Sequence, residues 1–192
     1  QEEMGMYFAR SAALRSADLS RQVGAAIVTS EGDVVSIGCN EVPKARGGQY
    51  WPSDENDHRD FKEGHDSSAT SKAEILSELI NAVEPLGIFR EGLIAEEITK
   101  ALTEGHGKNI LKGTQIQNLL EFGRPVHAEM AAITTAARLG LSVRNTTLYS
   151  TTFPCHMCAR HIISSGINRV VYIEPYPKSR VIGLYKDSVE VD

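Results

Sequence analysis

Two short stretches hold the residues whose types and spacing could do chemistry: Pro125-Val126-His127-Ala128-Glu129 and Pro154-Cys155-His156-Met157-Cys158. Each opens an apolar pattern at helical spacing. Met130, Ile133 and Ala137 follow the first, closed by Gly140; Ala159, Ile162 and Ile163 follow the second, closed by Gly166. The spacing predicts a helix from each, with proline at the first helical position, where its missing N–H is no loss. Cys155 and Cys158 are three apart and would share a helix face. The partial positive charge of a helix N-terminus favours their thiolate forms. With the imidazole of His127 they make three ligands of the types zinc prefers, leaving a fourth tetrahedral position for water. A purely structural site is normally closed by a fourth residue, so three ligands point to catalysis. Glu129, two residues past His127, would stand near the metal without binding it. Its carboxylate can take a proton from metal-bound water and pass it on. A lone Cys-x-x-Cys is equally a redox pair, and a lone His-x-Glu says almost nothing. The two together, each behind a proline and separated by a strand, carry the reading.

The elements that must position these groups can be read around them. Residues 4–17 read as a helix, with Tyr7, Phe8, Ala12 and Leu14 as its apolar contacts. Residues 23–29 and 34–39 are apolar runs joined through Ser30-Glu31-Gly32, a link short enough to require an antiparallel hairpin. Because both runs are apolar almost throughout, both sheet faces are expected to be covered. Residues 147–150 form a third strand leading into the cysteine helix, and residues 169–173 a fourth. That strand–helix–strand unit should be parallel and right-handed. Ser179 is placed to cap a short helix through residue 186, and residues 189–191 read as a fifth strand. Residues 44–71 are irregular and polar; Trp51 in this stretch reads as a residue that packs against the insert or, second to that, stacks on a base, and His58 and His65 as candidate ligands of a second metal. Three helical patterns follow. The first has Ile75, Leu76, Leu79, Ile80 and Val83, stopping near Pro85; the second has Ile94, Ile98 and Leu102, ending at Gly105. In the third, Ile110, Leu111, Ile116, Leu119 and Leu120 run up to Gly123. One apolar face on each predicts a helical cap packed on the core, against the alternatives of a lid over the site or a partner surface such as an oligomer contact.

Composition narrows the class. The chain has 192 residues, 41% of them hydrophobic, which suits one domain with an ordinary core. Of three cysteines two belong to the motif, leaving Cys39 as a buried thiol. That count speaks against a disulfide framework and for a reducing cytoplasm. The formal net charge of −5 fits a small-molecule substrate better than long nucleic acid. No apolar run approaches a membrane span, so no membrane association is expected.

His127-Ala128-Glu129 followed by Pro154-Cys155-His156-Met157-Cys158 matches the signature of zinc nucleobase deaminases. With the opening hairpin and the parallel unit, the chain resembles the cytidine deaminase superfamily, in its deoxycytidylate deaminase branch, over residues 1–43 and 124–175. Gln22-Val23-Gly24-Ala25 and Gly38-Cys39-Asn40-Glu41-Val42-Pro43 look like that branch's first strand pair. The branch's usual Gly-Tyr-Asn-Gly-Met-Pro differs here at Cys39, Glu41 and Val42. The long insert and the Glu174-Pro175-Tyr176-Pro177-Lys178-Ser179 loop resemble bacterial anti-phage deaminases that deplete deoxycytidine nucleotides. Those proteins carry a further P-loop kinase-like domain, and no Gly-x-x-x-x-Gly-Lys-Ser/Thr occurs here.

The resemblance implies an α/β fold: a three-layer α/β/α sandwich with a mixed five-stranded sheet in order 2-1-3-4-5. One deaminase domain would have its core in residues 1–43 and 124–192 and a helical insert at 44–123. It implies Zn2+ on His127, Cys155 and Cys158, with Glu129 carrying protons from the metal's water to N3 of cytosine and then to departing ammonia. The N–H of Ala128 would hold O2 of the base. Carbonyls of Thr151, Thr152 and Phe153 would accept from its amine, and Asn40 would contact the sugar. Arg21, Lys44, Arg46 and Lys178 lie on loops expected at the mouth, suited to phosphate, and Tyr176 would stack on the base or gate the pocket. The implied substrate is a free deoxycytidine nucleotide, dCMP or dCTP. The implied partners are a second copy in a homo-oligomer, a kinase-like domain, and an inhibitory RNA or protein. A tRNA adenosine deaminase shares the motif pair and Met157 fits it, but the acidic balance and the insert do not. A nucleotide- or partner-binding domain on the same fold would be favoured by loss of a ligand or of Glu129, and none is lost.

Overall fold

Small side chains let two helices lie directly on the sheet. α1 (Glu2–Ala13) buries Gly5, Ala9, Ala12 and Ala13 along one stripe. The helix was expected to run to Ala17 but ends at Ala13, because the backbone beyond it is taken up elsewhere. The Ser16 hydroxyl donates to the Asn40 carbonyl, and the Ala17 N–H donates to Glu41 Oε2. β1 (Gly24–Val28) is buried throughout. β2 (Val34–Cys39) runs antiparallel to it, with Gly24 opposite Cys39 and Ala25 opposite Gly38. β2 is not covered on both faces as expected: Val34 and Ile37 are 39% and 47% exposed, because this edge strand lies at the margin of the helical layers.

A Cβ at Gly24 would collide with Ala9 and Ala13 of α1, and one at Gly38 with Ala128 and Ala132. The latter belong to α6 (Ala128–Arg138). Gly38 pairs with Ala25, the neighbour of Gly24, so the two glycines face opposite sides of the sheet. α1 therefore covers one face and α6 the other, with α7 (His156–Ser164) beside α6. β3 (Thr147–Thr152) pairs antiparallel with β1 and parallel with β4 (Arg169–Glu174). The result is an α/β fold with a mixed sheet.

The computed structural model describes residues 1–89, 92–104, 107–111 and 114–192. Its sheet has four strands in the order β2-β1-β3-β4, not five. Residues 189–191 form no strand; two valines are little to set against the entropy of ordering one. α8 (Val181–Leu184) ends before residue 186, and Ser179 Oγ accepts from the Val181 N–H at 3.4 Å.

By contact density the chain divides into Gln1–His65 with Arg124–Asp192, and Asp66–Gly123. The sequence boundary at 44 thus falls inside the first unit, which also contains α2 (Asp60–Glu63). In the second unit α3 (Ser67–Val83) is capped by Asp66, whose carboxylate accepts from the N–H groups of Ser68 and Ala69. α3 packs with α4 (Ala95–Thr103) around Leu76, Ile80 and Ala95. The third helical pattern is divided between α5 (Gly107–Ile110) and a single 3-10 turn at Gln115–Asn118. Lys112 and Gly113 within that pattern, and Gly105 as the expected stop of the second, lie outside the described residues.

Candidate metal centre

The two prolines stand before the helices, not on their first turn. His127 is the N-cap of α6 and Cys155 the N-cap of α7, both in extended backbone (φ −67°, ψ 155° and φ −74°, ψ 164°). A cap side chain folds back over the N–H groups that the helix cannot satisfy itself. Cys155 does this literally: its Sγ accepts from the Cys158 N–H at 3.4 Å. The two sulfurs meet through this cap, and not by lying along one helix face. Nδ1 of His127 lies 3.3 Å from Cys155 Sγ and 3.4 Å from Cys158 Sγ. A tetrahedral zinc ion with bonds of about 2.0 Å to nitrogen and 2.3 Å to sulfur sets an N···S edge of about 3.5 Å. The three side chains therefore fit zinc. Among the described residues they are the one such group of three. His58, weighed with His65 as a candidate ligand of a second metal, is 2.7 Å from Glu63.

Charge in this cluster is tightly shared. Without a metal, the hydrogen bond from the Cys158 thiol lowers the Cys155 pKa, with His127 adding to the effect against burial. The same bond, together with burial, pushes Cys158 up. The hydrogen bond to Cys155 raises His127 to about 9. Zinc takes thiolates and a neutral imidazole, so its binding at these three side chains would release protons. Glu129 is 4% exposed, and the Cys158 Sγ lies 3.4 Å from its Oε2. Burial first, then the Cys155 thiolate, raises its pKa, partly offset by His127.

The remaining expected residues fall into three groups. Ala128 is fully buried and opens α6, so its N–H is one of those left without an intrahelical partner. Thr151 and Thr152 are buried at the end of β3, and the Thr151 hydroxyl accepts from the Gly24 N–H at 3.2 Å. Asn40 is 7% exposed and its side chain stitches a loop: Oδ1 accepts from the Val23 N–H, and Nδ2 donates to the Arg21 carbonyl, both at 2.7 Å. Arg21 is half-exposed and pairs with Glu174 at 3.4 Å. Tyr176 is half-buried, and its phenol is pushed up by burial and the Cys155 thiolate and drawn down by Arg21. That places Tyr176 within electrostatic reach of Cys155. Lys178 is exposed, and among the described residues no hydrogen bond or ion pair ties it to the cluster. Lys44 pairs with Asp54 at 2.9 Å. Trp51 is half-exposed beneath the Arg15 guanidinium, 3.8 Å from its ring centroid.

Two roles were not legible in the sequence. Ser179 was read as a helix cap, but its hydroxyl also donates to the Pro154 carbonyl at 2.8 Å, tying the last loop to the cysteine motif. Glu41 is 2% exposed at the end of an apolar strand. An acidic residue at that place was the available signal.

The sequence model described as cytidine and deoxycytidylate deaminase zinc-binding region matches residues 1–174. Deoxycytidylate deaminase of Enterobacteria phage T2 is 47% identical over 55 residues, 29% of each chain. ComE operon protein 2 of Bacillus subtilis is 40% identical over 53 residues, 28% of each. The alignments thus span less than a third of these curated relatives. The crystal structure of dCMP deaminase from the cyanophage S-TIM5 in complex with dCMP and dUMP superposes with a TM-score of 0.54 at 16% identity, covering 100% of this chain and 94% of that one. At that identity the likeness is one of fold.

Proposed function

The chain belongs to the cytidine and deoxycytidylate deaminase zinc-binding family, and from that premise we propose that it deaminates free deoxycytidine nucleotides. Water is consumed, the exocyclic amine leaves C4 as ammonia, and cytosine becomes uracil. The observation that carries this reading is Glu129, buried against Cys158 beside three side chains spaced for one zinc ion. The phage relative named deoxycytidylate deaminase and the fold shared with a dCMP-bound deaminase support dCMP as substrate. dCTP is the second substrate proposed, and nucleotide depletion against phage the proposed setting.

His127, Cys155 and Cys158 would hold the zinc, which lowers the pKa of a water and so makes a nucleophile available at neutral pH. Glu129 accepts the proton given up, delivers it to N3 of the ring, and later protonates the departing amine. Its burial keeps bulk water from competing for that proton. The Ala128 N–H donates to O2 of the base, and carbonyls of residues 151–153 accept from the amine. Asn40 acts through the Arg21 loop that it stitches. Arg21, released from Glu174, meets phosphate, with Lys178 adding positive charge from the exposed loop, and Tyr176 flanks the base. The same reading proposes a cytoplasmic homo-oligomer working with a kinase-like domain and an inhibitory RNA or protein.

The test is ammonia release from dCMP, dCTP and an adenosine-containing anticodon loop, each incubated with zinc-loaded protein. Turnover of at least one deoxycytidine nucleotide is expected. Ammonia from the RNA alone would overturn the proposal.

A further inference from the structure

The His127 carbonyl accepts from the Ala131 N–H of α6 at 2.8 Å, but its side chain makes no capping hydrogen bond, so the chain just before it also bears on its approach. That chain is held by an isolated bridge. The Val126 N–H donates to the Glu41 carbonyl at 3.0 Å, and the Glu41 N–H donates to the Val126 carbonyl at 3.2 Å. Glu41 is in turn anchored through its side chain. Oε2 accepts from the Ala17 N–H and Oε1 from the Val42 N–H, each at 2.9 Å. Its neighbour Asn40 holds the backbone of Arg21 and Val23. Glu41 therefore joins the loop after α1 to the end of β2 through its buried carboxylate, and both to the segment that delivers His127 through its backbone.

We infer that Glu41 is a positioning residue for the metal centre, setting the His127 imidazole against the two sulfurs through the Val126 bridge. The inference rests on the zinc reading of His127, Cys155 and Cys158, and adds a residue to it. The chemistry is specific to a carboxylate. Both oxygens accept from backbone N–H groups, so glutamine, which has one acceptor and one donor end, must set N–H against N–H on one side. Aspartate keeps two acceptors but shortens their reach by one methylene. Groups that orient a ligand typically change metal affinity by 10–100-fold when removed.

Zinc affinity of the folded protein, measured by competition with a chromophoric chelator, tests this without reference to substrate. Glu41→Gln is expected to weaken zinc about tenfold or more, and Glu41→Asp to restore part of the loss. Val28→Ala, in the sheet core on the α1 side, should lower Tm and leave zinc affinity unchanged. Wild-type affinity in a folded Glu41→Gln would overturn the inference. So would a Glu41→Gln that neither folds nor takes up zinc, since Glu41 would then serve the fold and not the site. Absence of zinc binding in the unsubstituted protein would instead remove the metal reading beneath it.

Discussion

Glu129 and Cys158 show how much a single contact can decide. A carboxylate two residues past a metal ligand could face water, pair with a cation, or be buried. Here it is buried against the sulfur of Cys158. Glu129→Ala removes the group proposed to move protons and none of the zinc ligands. The variant should keep its metal, read by elemental analysis, and lose roughly two to four orders of magnitude in turnover. Turnover at the unsubstituted rate would remove Glu129 from the mechanism. The residue types and their spacing were readable from the chain. That His127 and Cys155 are caps was not, because extended backbone before a helix is set by what the preceding residues pair with.

At the scale of elements, the two sheet glycines are places where a helix lies too close to a strand to leave room for a side chain. Alanine at either position overpacks a tight interface, at a cost of about 1–3 kcal/mol in unfolding free energy. The consequences should differ. Gly24→Ala pushes on α1 at Ala9 and Ala13, away from the zinc cluster. Gly38→Ala pushes on α6 at Ala128 and Ala132, and so displaces the turn that carries Glu129. Urea unfolding should show both variants destabilised, with turnover below the unfolding transition falling much further for Gly38→Ala. Equal turnover in the two would mean that α6 tolerates the shift. The hairpin, the cysteine helix and the parallel strand after it were legible from apolar runs and short links. The fifth strand was not, since a brief apolar run becomes a strand only if a neighbour and a covering helix are present.

For the molecule as a whole, acid is the informative variable. Asp57 accepts two hydrogen bonds from the Arg59 side chain, at 2.8 and 2.7 Å, and these bring its pKa down to about 2 from an ordinary 3.8. A depressed carboxyl stabilises the fold fully above its unfolded value and ceases to do so as pH falls through the folded one. Asp57→Asn should therefore be less stable than the parent by a constant margin near neutral pH. That margin should close between about pH 4 and pH 2, followed by urea unfolding at fixed pH. A margin unchanged to pH 2 would assign the loss to packing and not to charge. Residues 44–65, polar and without regular pattern, gave no hint that they belong with the core, because their links are side-chain pairs such as Arg124 with Asp60 and Arg15 with Gln49.

The linear chain by itself determined the ligand set, the acid beside it and the alternation of strands with helices. Those follow from local chemistry: residue type, spacing and the hydrophobic period. Tertiary structure alone decided that Asn40 stitches a loop, that Glu41 is buried on two backbone N–H groups, and that the sheet stops at four strands. Each of these depends on which distant groups remain free to pair once the core has closed, and no spacing rule along the chain encodes that.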